Sequence, residues 1–192
     1  MTPHNASLLP PLPGAEGFIH SGDPLPGNLS GNVPLSGNDL APAYWWLDIL
    51  WIVLADAGDT GGRFSLIEEW LPRGSGPGPH KHTWSDETYY ILDGEVTFLI
   101  GDEVRVARRG DFLMVPRDTR HAFRVDSETA RFLNGYTPAS LEAAVSEMAM
   151  PAPVRAIPPK GATPPPAMTP ALMRRYGMEA LPGPDPLRQS GS

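Results

Sequence analysis

Three of the five histidines in this 192-residue chain, together with one glutamate, fall at spacings suited to gripping a metal ion. His80 and His82 are two residues apart, so on a strand both imidazoles leave the same face. Glu87 lies five residues beyond His82, an odd separation, so a turn or bulge within residues 84–86 must re-aim it. His121 comes from a distant segment and closes a fourth corner. Three neutral imidazoles and a carboxylate suit one divalent transition ion (Fe, Mn, Co, Ni, Cu or Zn) far better than Ca or Mg, which prefer oxygen shells; the donors do not choose among the six. Two roles are open for Glu87: fourth ligand, or catalytic carboxylate taking a proton from a substrate hydroxyl.

The segments that must carry these residues read as short strands. From residue 50 onward, β-rich runs alternate with turn signals every eight to ten residues, the rhythm of a small all-β sandwich or barrel. Asp93-Gly94 has the composition of a two-residue type I′ hairpin turn. Phe64, Leu66, Trp84, Tyr89, Phe98, Phe112, Met114 and Phe123 are the candidates for an inward-facing, apolar substrate pocket suited to an aromatic small molecule. A helix is expected over 138–148, with Pro138 in its first turn and Leu141, Ala144, Val145 and Met148 on one face. A proline-rich linker then spans 151–170, a second short helix runs over 170–176 and stops at Gly177, and the remainder frays.

Residues 1–43 hold many prolines and glycines and repeat Leu-Ser-Gly-Asn at 29–32 and 35–38, so they read as an extended arm. The division expected is therefore an arm (1–43), a barrel (44–137) and a helical, proline-rich extension (138–192). The apolar run 44–55 is too short to cross a bilayer and contains Asp48; it reads as barrel wall or interface, and with the arm it points to a homodimer. A net charge of −7 argues against a nucleic-acid partner, and the absence of cysteine removes thiolate ligands, a thiol nucleophile and disulfides. The first Lys or Arg is Arg63, which leaves no basic leader, so a cytoplasmic protein with no membrane partner is expected. The sequons at Asn5 and Asn28 would matter only in a secreted protein.

Gly74, His80, His82, Glu87 and Gly94 in one half, and Gly110, Pro116 and His121 in the other, resemble the two signature motifs of the cupin superfamily. Asp118 stands where a glycine is common and Val125 where an asparagine is common; neither position is a ligand in that family. The resemblance implies a jelly-roll β-barrel with His80, His82, Glu87 and His121 as metal ligands. Residues 60–65 (TGGRFS), 76–82 (GPGPHKH) and the proline-rich tail are similar to single-domain bacterial cupins grouped with quercetin dioxygenases. That likeness implies a metal-dependent dioxygenase in which the metal binds a flavonol's deprotonated hydroxyl, Glu87 assists the deprotonation, and dioxygen opens the ring with loss of carbon monoxide. The alternatives are a non-oxidative metalloenzyme (cyclase, isomerase or lyase) and a small-molecule-binding protein with a structural metal.

Overall fold

The computed structural model describes residues 41–163 and 169–188. The arm expected over 1–43 therefore lies almost wholly outside the described residues, as do the repeats and both sequons.

Twelve strands among the described residues form two antiparallel sheets. The first sheet contains β1 (Ala43–Trp46), β2 (Ile49–Ala55), β3 (Ser65–Pro72), β5 (Asp86–Asp93), β8 (Phe112–Val115), β10 (Thr129–Thr137) and β11 (Met150–Pro151), in the order β11-β1-β2-β3-β10-β5-β8. The second contains β4 (His80–His82), β6 (Glu95–Ile100), β7 (Glu103–Arg108), β9 (His121–Val125) and β12 (Met178–Ala180), in the order β12-β4-β9-β6-β7. Their inner faces meet in one core, where Tyr89 and Phe132 of the first sheet pack edge-on against Phe123 of the second. This is the expected all-β jelly roll, in which alternate residues of each strand are buried between the layers.

Period-two alternation fixes which side chains face inward. Along β10, Phe132, Asn134 and Tyr136 are buried, and they pair across β5 with Ile91, Tyr89 and Glu87. The apolar run 44–55 becomes the β1–β2 hairpin, and its Trp45, Trp46, Leu50 and Trp51 are buried within this chain, so it forms wall. Large exposed apolar side chains sit instead on β7 and β8: Val104, Val106, Phe112 and Met114.

Three local expectations need correction. Asp93-Gly94 does not close a hairpin, because β5 and β6 belong to different sheets; it is the corner by which the chain crosses between layers, and Gly94 takes φ +88 there. The β6–β7 hairpin is closed by Gly101-Asp102, between the paired Ile100 and Glu103. The first of the two expected helices, α2 (Leu141–Met148), starts after Ser140, so Pro138 precedes it; Leu141, Ala144 and Val145 are buried as expected. Before it lies a single turn, α1 (Ala57–Thr60), closed by an Asp56–Asp59 capping box. The chain does not fray after α3 (Pro170–Arg175): β12 adds to the edge of β4, and Leu187 packs against Leu99 and Ala122. Unpaired β4 backbone supplies the hydrogen bonds that a terminal segment can satisfy.

The loop before β4 is sewn to β9 by two backbone bonds, Gly74 N–H to Val125 O (2.9 Å) and Val125 N–H to Ser75 O (3.0 Å). Gly76 has φ +139, and a Cβ there would lie 2.1 Å from the Phe123 carbonyl oxygen. Gly76→Ala must therefore force the loop off β9, and a loss of at least about 1–3 kcal/mol is expected in urea unfolding. An unchanged midpoint would show that the close approach is absent in solution.

Candidate metal centre

The sheet change between β4 and β5 solves the parity problem posed by the sequence. His80 and His82 share the inner face of β4, while the chain crosses at residues 83–85 and Glu87 enters from the opposite sheet. His121 opens β9 directly opposite His80. All four residues are buried, and one donor atom from each lies within 4.8 Å of the others. The His80 and His121 rings are 4.1 Å apart between centroids.

Backbone carbonyls set two of the tautomers. His80 Nδ1 faces Gly78 O at 3.0 Å and His121 Nδ1 faces Thr119 O at 2.8 Å, so each Nδ1 carries the proton and each Nε2 presents a lone pair. Glu87 is oriented more strongly. Its Oε1 accepts from Tyr89 OH (2.7 Å), Tyr136 OH (2.5 Å) and Asn134 Nδ2 (3.0 Å). Its Oε2 is left facing the imidazoles, 2.8 Å from His121 Nε2 and 3.5 Å from His82 Nε2.

Despite these approaches, Glu87 Oε2, His121 Nε2 and both nitrogens of His82 make no well-directed hydrogen bond. Buried polar atoms are rarely orphaned without a partner of another kind. Lone pairs converging on one space from three imidazoles and a carboxylate fit a divalent transition ion, so the donor set and the orphaned atoms agree.

Protonation follows from burial. Desolvation, reinforced by His121 and His82, pushes His80 down to about 3, and burial also lowers His82. Burial pulls His121 down, but its contact with Glu87 more than reverses this. Burial alone would raise Glu87, yet the imidazoles, His82 foremost, hold it well below the carboxylate range. Burial and the Glu87 charge raise Tyr89 and Tyr136 well above normal, so both keep their protons and act as donors.

Acid should therefore dismantle the metal-free protein in a defined window. Below 6.5 the unfolded chain takes up a proton that native His80 refuses down to about 3. Below 4.5 the unfolded chain also protonates Glu87, which the native site keeps ionised. Both effects remove stability as pH falls from 4.5 towards 3, so the urea midpoint is expected to be clearly lower at about pH 3.5 than at about pH 5. Equal midpoints would contradict the assigned protonation states.

Beside the four residues lies a cavity of about 90 Å³. Of the eight pocket residues expected from the sequence, the structure brings Tyr89 and Phe123 to it. Phe98 is buried behind them, edge-on to Tyr89, and Leu66 is half-buried on β3. Phe64, Trp84, Phe112 and Met114 stand on the outer surface, between 44% and 64% exposed. Strand register explains two of these: Phe112 pairs with outward-facing Tyr90, and Met114 with Thr88. Sequence reasoning missed Trp46, Trp51, Glu69, Tyr136, Leu141 and Met178, which line the cavity from β1, β2, β3, β10, α2 and β12. Asp118 adopts φ +62, which explains how it serves where a glycine is common, and it pairs with Lys81 at 3.2 Å.

A family model described as the cupin domain matches residues 66–136, from β3 to the end of β10. The barrel is a cupin. Within this fold His80, His82 and Glu87 of the buried cluster line the cavity. The chain is 32% identical over 96 residues to quercetin 2,3-dioxygenase of Bacillus subtilis (strain 168), covering 50% of this chain and 28% of that enzyme. It is 38% identical over 61 residues to an uncharacterised protein of Methanocaldococcus jannaschii, covering 32% of this chain and 49% of that protein. The chain thus spans less than half the length of either curated relative it matches. Among solved structures, a predicted oxalate decarboxylase from Thermotoga maritima superposes with a TM-score of 0.50 at 20% identity, over 53% of this chain and 96% of that one. No helix among the described residues is long and apolar enough to cross a membrane.

Proposed function

We propose that this cupin is a metal-dependent, quercetinase-like dioxygenase acting on a small hydroxylated aromatic or enolic compound. The observation that carries the reading is the clamped Glu87: with Oε1 committed to three donors, only Oε2 remains free to join His80, His82 and His121 around one ion. Glu87 is then a ligand first; acting as a base would require Oε2 to leave the ion, because Oε1 is held by Tyr89, Tyr136 and Asn134. The matched stretch of quercetin 2,3-dioxygenase supports the same chemistry.

A divalent transition ion held there by His80, His82, Glu87 and His121 would supply Lewis acidity towards a substrate hydroxyl and, for every candidate but zinc, redox capacity towards dioxygen. The chain supplies the surroundings. Neutral His80 and His82 offer lone pairs at pH 7, the two tyrosines hold Glu87 rigidly, and Trp46, Trp51 and Leu141 give an apolar wall that receives a ring and excludes water. A cavity of about 90 Å³ is small beside the roughly 300–1,000 Å³ of drug-sized sites. Size therefore favours a one-ring substrate over a three-ring flavonol. The cytoplasmic homodimer expected above belongs to the same proposal.

Oxygen consumption tests the reading. Protein loaded separately with each of the six ions should take up dioxygen with at least one member of a panel of one-ring and flavonol substrates. Turnover that proceeds without oxygen, best with zinc, would instead establish the non-oxidative alternative.

A further inference from the structure

Glu69 is a charged-type residue in an apolar row. On β3 it lies between Ile67 and Leu71, both fully buried in the core, and is itself 2% exposed. Its Oε2 has no hydrogen-bond partner, and it lines the same cavity as His80, His82 and Glu87. The adjacent Glu68 is equally buried but engaged through Oε1, which accepts from Trp70 Nε1 at 2.5 Å and pairs with Arg131. An unpaired buried carboxyl weakens the fold, and leucine would pack the barrel better.

Of the other polar groups lining the cavity, Trp46 Nε1 is likewise buried without a hydrogen-bond partner, while those around Glu87 already have tasks. Tyr89, Tyr136 and Asn134 donate to Glu87, and the imidazoles converge on the common space. No Lys or Arg among the described residues lines the cavity. Burial, then the Glu87 charge, raises the Glu69 carboxyl well above its usual range. Two carboxyls in one pocket divide the roles, the one among the imidazoles ionised and the other keeping a proton to donate.

We propose that Glu69 is the substrate-recognition group of this cavity, donating a hydrogen bond to a carbonyl or ether oxygen of an uncharged ring compound whose hydroxyl faces the imidazoles. This rests on the cavity being the substrate site, as in the reading above.

The test uses maltol, a one-ring hydroxy-ketone, with phenol as a control lacking the second oxygen. Each is titrated calorimetrically into zinc-loaded protein under argon, so neither oxygen nor turnover enters. Glu69→Leu should weaken maltol binding by about tenfold or more, leaving phenol binding and zinc content unchanged. Glu69→Gln keeps an uncharged donor and should bind maltol within about threefold of the parent. In infrared difference spectra of the metal-free protein near pH 7, Glu69→Gln should remove a protonated-carboxyl band, a readout that does not depend on the leucine variant folding. Unchanged maltol binding in Glu69→Leu, no binding by the zinc-loaded parent, or no missing infrared band would each overturn the assignment. A parent that binds maltol through Glu69 but never consumes oxygen would leave it standing and defeat only the dioxygenase reading.

Discussion

Replacing His82 with alanine is expected to abolish stable metal binding while leaving the metal-free barrel about as stable as its parent. Both ring nitrogens of His82 are buried without hydrogen-bond partners, so in the absence of an ion the imidazole contributes packing but also two unsatisfied polar atoms. The packing lost on truncation and the desolvation relieved are each about 1–3 kcal/mol and oppose one another. The metal has no such compensation. Losing one of four donors should lower affinity by well over the roughly 10–100-fold typical of an indirect contact. Elemental analysis after dialysis reads the first effect and urea unfolding of metal-free samples the second. Full occupancy in the variant would remove His82 from the ligand set.

The second large effect is expected from residues that touch no metal. Tyr136→Phe and Tyr89→Phe each delete one donor to Glu87 Oε1 and leave the ring in place. Hydrogen bonds to a charged acceptor contribute about 1.5–3 kcal/mol, so the double variant should free Glu87 to rotate. Metal affinity is expected to fall about 10–100-fold in the double variant, with less than the sum of the single effects if Asn134 still anchors the carboxylate. A competition titration with a chelator measures this. Wild-type affinity in the double variant would mean that Glu87 holds its position without the tyrosines.

The buried quartet of His80, His82, Glu87 and His121 was legible in the sequence because its signal is local: two histidines at strand spacing, a glutamate past a turn, and glycines at fixed offsets. What looked like a parity conflict at Glu87 was the trace of a change of sheet. The cavity wall was less legible, since its members come from nine elements and their facing depends on register. In β3 the alternation places Glu68 on one face and Glu69 on the other, and nothing in the neighbouring residues says which acid meets an arginine and which meets the cavity. Phe112 and Met114 looked like core by composition and were turned outward by their pairing with β5. The turn at Asp93-Gly94 misled for a related reason, because the same two residues serve a hairpin or a corner depending on which strands pair beyond them.

The seat of β12 on β4 has a consequence for the order of events during synthesis. β4 has only three residues, and its paired neighbours are β9 on one side, in register at His80 and His121, and β12 on the other. At translation rates of about 5–20 residues per second, β12 is made several seconds after the histidines it supports. Until then the strand that carries His80 and His82 has a bare edge. The cluster of His80, His82, Glu87 and His121 is therefore complete in the chain before the edge beside it is covered.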